Sequence, residues 1–210
     1  MTAIQIHLFL EGYETSEGKR IDSCLSAAFH EARHITGRNK LTGALDPENQ
    51  WGYLGSWSGA MCYMTILDQI GKCYRSISKP QITNCSPIEK ALVYFSSLID
   101  TEISAIYALR NAFFHDFSLY NRNNSNPNLQ HTFTVDNHPT KPIVRLPKTN
   151  WDGQMSSRNP DNNTYVNLKT LGDLVENIYR DLVLLESRSE LVLELDGGEE
   201  ELLNRYTFTY

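Results

Sequence analysis

The sequence predicts a mainly α-helical bundle with a small antiparallel β elaboration. Four stretches place apolar residues every three or four positions, which is the spacing of a helix with one buried face. Short alternating segments, typical of strands, occur near both ends and after the central helices. With 210 residues, 40% of them apolar, the chain can bury a sizeable core and is most simply one domain.

The first part of the chain is expected to supply one strand and two helices. Residues 4–10 alternate as a strand does, and residues 20–36 have helical spacing that ends at Gly37. Residues 42–50 are rich in turn formers and predict a loop. The apolar stretch 51–74 predicts the second helix.

Ser86 begins the clearest helix in the sequence. Pro87 suits the first helical position, and Glu89 stands three residues after the cap, which completes a capping-box pattern. The apolar stripe then continues without interruption to about Phe114, so one long helix is predicted. Its apolar positions are Leu92, Phe95, Ile99, Ile103, Ile106 and Leu109.

The region after this helix is expected to be largely irregular. Residues 121–128 predict an Asn-rich loop, residues 132–135 and 142–146 short strands, and residues 151–163 another polar loop.

The C-terminal part returns to helical spacing over residues 167–186. Alternating residues at 191–195 and 206–210 then suggest strands that join residues 4–10 in a small sheet.

One domain, 1–210, accommodates all these elements. Its helical core covers about 20–120 and 167–187, its loop and strand insertion about 121–166, and its acidic C-terminal segment about 186–210. That segment holds two bases and seven acids, namely Glu186, Glu190, Glu194, Asp196, Glu199, Glu200 and Glu201.

The distribution of charge limits the possible partners. The net charge of −6 argues against non-specific binding to duplex nucleic acid. Residues 101–150, however, contain five bases and three acids, so a small basic cleft for a single strand is compatible with the sequence.

The cysteines and the hydropathy favour a cytoplasmic protein. Cys24, Cys62, Cys73 and Cys85 form no C-x-x-C pair and are expected to be free thiols in a reducing compartment. No apolar stretch approaches the 18 or more residues that a membrane span needs, so no membrane partner is expected.

The first candidate for chemistry is the segment His30-Glu31-Ala32-Arg33-His34, which matches the zinc motif H-E-x-x-H. Two histidines four apart on a helix can share a zinc ion, with the glutamate as general base. Lys40 occupies the position where a longer form of the motif has its third histidine, and Glu48 lies in a predicted loop. A surface helix with an ion-paired face explains the same residues.

The second candidate is the segment Arg110-Asn111-Ala112-Phe113-Phe114-His115 at the end of the central helix. Arg110 continues the buried stripe, where an unpaired charge is costly, so it is expected to meet an anion, a carboxylate or an interface. Asn111 and His115 are four apart and share a face. Arg110 and His115 point about 140° apart with about 7.5 Å between them along the axis.

This arginine–x4–histidine pattern, late in a long helix of a four- or five-helix bundle, resembles the signature of HEPN domains. The resemblance covers the helical core and implies a homodimer with metal-independent endoribonuclease activity and no cofactor. Arg110 would be the phosphate ligand, His115 the proton-transfer group and Asn111 the supporting polar residue. Phe117 stands where some members carry a tyrosine that a partner nucleotidyltransferase modifies.

Cleavage of RNA is therefore the expected function, with an antitoxin or other regulatory protein as a conceivable partner. Three alternatives remain open. One is a HEPN-like binding or assembly module without catalysis, and another is a zinc hydrolase that uses His30 and His34. The third is purely structural, in which Arg110 and His115 pair with acids such as Asp100, Glu102 or Asp116.

Aromatic residues are concentrated at 51–74 and 113–117. Stacking on RNA bases would require exposed rings, whereas aromatics at helical spacing more often belong to a core or a dimer interface.

Overall fold

The computed structural model of the chain describes residues 10, 13–14, 20–45, 56–123, 125–138 and 140–209. Six helices lie within these ranges, which confirms the mainly α class. They are α1 (Cys24–Ile35), α2 (Trp57–Cys73), α3 (Pro87–Phe95), α4 (Asp100–Asp116), α5 (Leu168–Ser187) and α6 (Gly198–Tyr206).

The described strands form three small sheets. One has the order β1 (Tyr13–Glu14), β2 (Arg20–Ser23) and β9 (Thr207–Thr209), and a second pairs β3 (Tyr74–Ser76) with β8 (Leu191–Leu193). The third has the order β4 (Tyr120–Asn121), β5 (His131–Asp136), β7 (Asn163–Asn167) and β6 (Val144–Arg145).

The strands were predicted to pair antiparallel, and every described strand pair does so except one. Strands β5 and β7 run parallel, with Phe133 opposite Thr164. The chain between them, which includes β6, makes the crossover that a parallel pair requires. β7 was not predicted: its first residue was expected to end a loop, its last to begin a helix, and residues 164–166 were assigned to no element, because the sequence Asn-Thr-Tyr-Val-Asn is short and polar.

One hydrophobic core lies between the helices and the inner face of the four-stranded sheet. Phe133, Val144 and Val166 supply the sheet side, and residues from α1 to α5 supply the helical side. The region 121–166 is therefore packed into the same core as the helices.

Helix α1 begins later than predicted, because residues 20–23 form β2, which pairs with β1 and β9, instead of the first helical turn. Ser23 ends that strand and caps the helix, since its hydroxyl accepts a hydrogen bond of 2.9 Å from the Ser26 amide. Gly37 follows the helix with a φ of 69°, the left-handed conformation that glycine adopts readily.

The single helix predicted over 86–114 is two helices. Ser86 and Glu89 form the predicted capping box at the start of α3. Ser96 ends α3, because its hydroxyl donates to the Leu92 carbonyl at 2.6 Å. Glu102 then starts α4 by accepting a hydrogen bond of 3.1 Å from the Ile99 amide. The apolar spacing continues across this break, so periodicity alone could not reveal it.

Helices α2 and α3 approach each other closely at Gly71. A Cβ atom at this position would lie 1.8 Å from the Pro87 carbonyl oxygen, so only glycine allows the contact. Ser56 caps α2 by accepting a hydrogen bond of 2.9 Å from the Gly59 amide.

A buried charge network joins α1 to α5. Arg33 donates to both carboxylate oxygens of Glu176 at 2.9 and 2.8 Å, and the Tyr63 hydroxyl donates to the same carboxylate at 3.0 Å. Arg33 also donates to the Lys40 carbonyl at 2.8 Å, which holds the loop after α1. Gly43 in that loop has a φ of 67°, and a Cβ there would lie 2.1 Å from a Glu176 oxygen.

The acidic C-terminal segment is part of the fold and not an appended surface. Leu191, Leu195 and Leu202 are buried in the core. Glu194 pairs with Arg75 of β3 at 2.7 Å. Helix α6 was not predicted. Strand β8 pairs with β3 and not with residues 4–10, as had been expected. Residues 4–9 lie outside the described residues.

The four cysteines are free thiols, as predicted. No helix within the described ranges is both long enough and apolar enough to cross a bilayer. The predicted loop 42–50 is described only to residue 45, and the first five residues of the stretch 51–74 also lie outside the described part of the chain.

Candidate functional site

The C-terminal half of α4 carries Arg110, Asn111 and His115. Phe117, just after the helix, has a φ of 49°, and its amide donates a hydrogen bond of 3.2 Å to the Phe113 carbonyl. This left-handed residue ends α4 sharply. The last helical turn is consequently fixed in position with His115 on it.

Arg110 is held by Asp68 of α2. Its Nε donates to Asp68 Oδ2 at 3.0 Å, and its Nη2 lies 3.0 Å from the same oxygen. The side chains of Arg110 and Asp68 are 27% and 22% exposed, so the pair is partly accessible to solvent. Arg110 therefore has the carboxylate partner that its place on the buried stripe predicts, although this partner is none of the acids suggested from the sequence.

Two neighbours on α4 restrict the guanidinium of Arg110 further. Its carbon lies 4.8 Å from the centroid of the Phe114 ring, a cation–π contact. Nη1 makes a single long contact of 3.5 Å with Asn111 Oδ1. Nη1 is therefore the least engaged donor of a side chain that Asp68 and Phe114 otherwise hold in place.

His115 is exposed, and its imidazole makes no hydrogen bond or ion pair with any described residue. Arg110 reaches toward α2, whereas His115 is directed to solvent. This agrees with their separation of about 140° around the helix axis. Within one chain the two side chains therefore lie on different faces of α4.

An aromatic cluster adjoins this end of α4. The Trp57 ring stacks on Phe113 with centroids 4.8 Å apart, and it contacts Phe117 at 5.3 Å. Phe113 is buried, but Phe114 and Phe117 remain 38% and 61% exposed. The exposed rings beside His115 offer an apolar surface for a partner molecule.

The remaining aromatic residues of the stretch 51–74 either lie in the core or fall outside the described residues. Tyr63 and Tyr74 are fully buried, as expected of aromatics at helical spacing. Burial raises the pKa of the Tyr63 hydroxyl, and the neighbouring Glu176 carboxylate adds to this effect. Trp51 and Tyr53 lie outside the described residues.

The zinc motif does not assemble a ligand set within the described residues. His30 is partly exposed and His34 is exposed, while the intervening Arg33 is directed inward to Glu176. No group of three or more His, Cys, Asp or Glu side chains in the described ranges could share a metal ion. The two histidines thus have no third ligand there, and Glu48 lies outside those ranges.

Asp68 is the residue of this site that the sequence did not single out. It lies on α2 directly after the buried Ile66 and Leu67, where a carboxylate requires a cationic partner. That signal exists in the sequence, but the identity of the cation depends on how α2 packs against α4.

Comparison with known proteins identifies no family for this chain. No family model matches the chain, and no significant match is found among curated proteins or solved structures.

Proposed function

We propose that this protein is a metal-independent endoribonuclease of the HEPN type. The observation that carries the proposal is the arrangement at the end of α4. A guanidinium held by Asp68 and Phe114 lies about 1.4 helical turns before an exposed histidine with no partner among the described residues. A fixed cation and a free imidazole are the two groups that cleavage of a phosphodiester by the adjacent 2′-hydroxyl requires.

In the proposed reaction His115 removes the proton from the 2′-hydroxyl of RNA. The 2′ oxygen then attacks the adjacent phosphorus, and the bond from phosphorus to the 5′ oxygen breaks. The departing oxygen takes up a proton from water, and His115 then releases the proton that it removed, so one histidine and one arginine complete the reaction. The products are a 2′,3′-cyclic phosphate and a 5′-hydroxyl.

Arg110 would stabilise the negative charge that builds on the phosphate oxygens during this reaction. Its Nη1 is the donor best able to reach a phosphate, because Nε and Nη2 already contact Asp68. Asn111, in contact with Nη1 at 3.5 Å, would support the orientation of the guanidinium.

The active form of the enzyme would be a homodimer. Arg110 and His115 lie on different faces of one helix, so a twofold axis beside the end of α4 would bring an arginine of one copy near a histidine of the other. The exposed Phe114 and Phe117 rings give such a contact apolar surface to bury. The same surface could receive a regulatory protein.

A second candidate is a binding or assembly module of the same type without catalysis. The specific observation in its favour is the Asp68 carboxylate, which already neutralises Arg110. A phosphate would have to share the guanidinium with that carboxylate. Activity measurements distinguish the two candidates directly.

The test is cleavage of single-stranded and loop RNA by purified protein in excess EDTA. We expect cleavage with cyclic phosphate ends, and we expect Arg110→Ala and His115→Ala to lose at least about a hundredfold in rate. Arg180→Ala and His34→Ala are matched controls at exposed helical positions and should keep the rate of the unmodified protein.

Each contrary result points to a different alternative. RNA binding without cleavage would favour the non-catalytic module. Activity that is lost in EDTA, restored by zinc and abolished by His34→Ala would favour the zinc hydrolase.

A further inference from the structure

A second cationic feature lies on the four-stranded sheet. Arg145 of β6 and Tyr165 of β7 are directly opposite in an antiparallel pair, so their side chains share one face of the sheet. The guanidinium carbon of Arg145 lies 3.8 Å from the centroid of the Tyr165 ring. On the other face, Val144 and Val166 are buried in the core.

Arg145 is exposed, and its guanidinium makes no hydrogen bond or ion pair with any described residue. Stacking on Tyr165 orients the guanidinium plane but uses none of its N–H donors. Arg145 therefore presents a preoriented set of donors and one free face of its plane to solvent.

This pair lines a cleft of about 110 Å³ at the edge of the sheet, which is bounded by Asp136, Lys141, Pro142, Arg145, Tyr165 and Asn167. Lys141 pairs with Asp136 and lowers the pKa of that carboxyl group. The charge of Arg145 is therefore in excess in the cleft. Asn167 caps α5 by accepting hydrogen bonds of 3.1 Å from the amides of Lys169 and Thr170, so the positive end of a 20-residue helix adjoins the same cleft.

We propose that this cleft binds a phosphate of single-stranded RNA through Arg145, with a neighbouring base stacked on the free face of its guanidinium. The planar fork of arginine matches phosphate oxygens, and unpaired bases stack on arginine planes as well as on aromatic rings. The proposal rests on the proposed ribonuclease function, for which the cleft would hold the substrate away from the cleavage site.

The sheet that carries the cleft begins next to the end of α4, with the cleft on its outer face and α4 on its inner face. β4 starts at Tyr120, shortly after α4 ends at Asp116, and β6 is at the opposite edge of the same sheet. Three strand spacings of about 4.8 Å separate β4 from β6, or about 14 Å in all. A short single strand can extend over such a distance.

Protection of a sheet edge is the competing explanation for Arg145, because charged residues on an edge strand prevent pairing with another molecule. The two roles have different consequences. Loss of edge protection would cause aggregation and leave RNA affinity unchanged, whereas loss of a phosphate ligand would weaken RNA binding in a protein that stays monodisperse.

The experiment measures binding of a labelled single-stranded oligoribonucleotide by fluorescence anisotropy over a range of salt concentrations. The protein carries His115→Ala so that the RNA stays intact. We expect Arg145→Ala to weaken binding at least about tenfold, as loss of a charge-assisted hydrogen bond does. The slope of log affinity against log salt should fall by about 0.7, the value for one phosphate contact on a single strand.

Two further variants separate the effect of charge from that of geometry and of position. Arg145→Lys keeps the charge but not the planar fork, so it should keep the salt slope and lose part of the affinity. Arg180→Ala removes an exposed arginine about 18 Å along α5 from its first residue and should bind as the parent does. Thermal unfolding of each variant checks that the fold is intact.

Unchanged affinity and slope in Arg145→Ala, an equal loss in Arg180→Ala, or aggregation in place of weaker binding would each overturn the proposal. Equally tight, Arg145-dependent binding of duplex RNA would overturn its single-strand specificity. Cleavage by the protein with His115 intact is measured in parallel. Cleavage without an effect of Arg145 refutes the cleft alone, and Arg145-dependent binding without cleavage refutes the ribonuclease function alone.

Discussion

Arg110 of α4 and Asp68 of α2 form an ion pair in which two guanidinium nitrogens lie 3.0 Å from the same carboxylate oxygen. The pair connects α4, which carries the candidate site, to α2, whose other face is buried in the core. It orients Arg110 and at the same time leaves Nη1 with only a long contact to Asn111. In the proposed reaction Asp68 would act through Arg110 and would be a positioning residue.

Asp68→Ala should reduce the rate of RNA cleavage by about tenfold to a hundredfold, because a displaced catalytic group costs this much. RNA affinity should stay the same or increase, since a negative charge is removed. Stability should fall by no more than about 1 kcal/mol, as the pair is partly exposed. Single-turnover rates, RNA titrations and urea unfolding give the three values. A faster rate would mean that Asp68 restrains Arg110 instead of positioning it.

Homodimers of Arg110→Ala and of His115→Ala should each be nearly inactive, and their heterodimer should recover part of the activity. In the heterodimer one chain keeps the arginine and the other keeps the histidine, so one complete site forms across the twofold axis. Differently tagged subunits are exchanged, the heterodimer is isolated, and cleavage of one labelled RNA is measured. A verified heterodimer without recovery, or a protein that is monomeric in solution, would contradict the shared site.

Glu176→Leu should destabilise the fold by about 3–5 kcal/mol, because it leaves the Arg33 guanidinium, whose side chain is 6% exposed, without its partner. The double variant Arg33→Met with Glu176→Leu should recover part of this loss, since no uncompensated charge remains buried. Urea unfolding of both variants gives the comparison. Equal stability of the single and double variants would show that the charge of Arg33 is compensated by the Lys40 and Leu41 carbonyls alone.

His131 should make the fold less stable at mildly acidic pH. Its Nε2 lies 2.9 Å from the Asn128 carbonyl oxygen, which can only accept, so Nδ1 accepts from the Thr164 hydroxyl at 2.9 Å. Burial lowers the pKa of this neutral imidazole. Because the unfolded chain protonates near pH 6.5, stability is full above that pH and falls as the pH decreases below it, by at most about 1.4 kcal/mol per pH unit.

Urea unfolding of the parent and of His131→Gln between about pH 7 and about pH 5.5 measures this contribution. Glutamine supplies a donor and an acceptor but does not titrate in this range. The pH dependence of the variant should be smaller than that of the parent. Identical pH profiles would assign the acid sensitivity to other groups.

Truncation after Ser187 should unfold the protein, because it removes the buried Leu191, Leu195 and Leu202 together with β8 and β9. The charge of the acidic segment is better tested by Asp196→Asn and Glu200→Gln, both at exposed positions. These variants should fold normally and cleave RNA at the parent rate. Far-UV circular dichroism and limited proteolysis report on the fold of each protein.

The elements with strong local signals could be predicted from the sequence. Ser86, Pro87 and Glu89 determine the start of α3 through hydrogen bonds within a single turn. The break between α3 and α4 was missed, because Leu92, Phe95, Ile99 and Ile103 keep helical spacing on both sides of it. The decisive contacts there are the Ser96 hydroxyl and the Glu102 carboxylate.

Contacts between distant segments could not be predicted in this way. β7 is polar because the face that points away from the core carries Asn163, Tyr165 and Asn167, and its pairing with β5 and β6 identifies it as a strand. At the candidate site, the position of Arg110 on a buried stripe predicted that it needs an anion. The choice of Asp68, 42 residues earlier, depends on the packing of α2 against α4.

The contact between Gly43 and Glu176 has a consequence for finding relatives of this protein. A side chain at residue 43 would collide with the carboxylate that Arg33 binds, so residue 43 can gain one only if Glu176 is lost or moves. Distant homologues should therefore share a covarying fingerprint of an arginine on the first helix, a glycine ten residues later and a glutamate in the long helix α5. A lineage that loses the glutamate loses this steric constraint on residue 43, although the φ of 67° there still favours glycine.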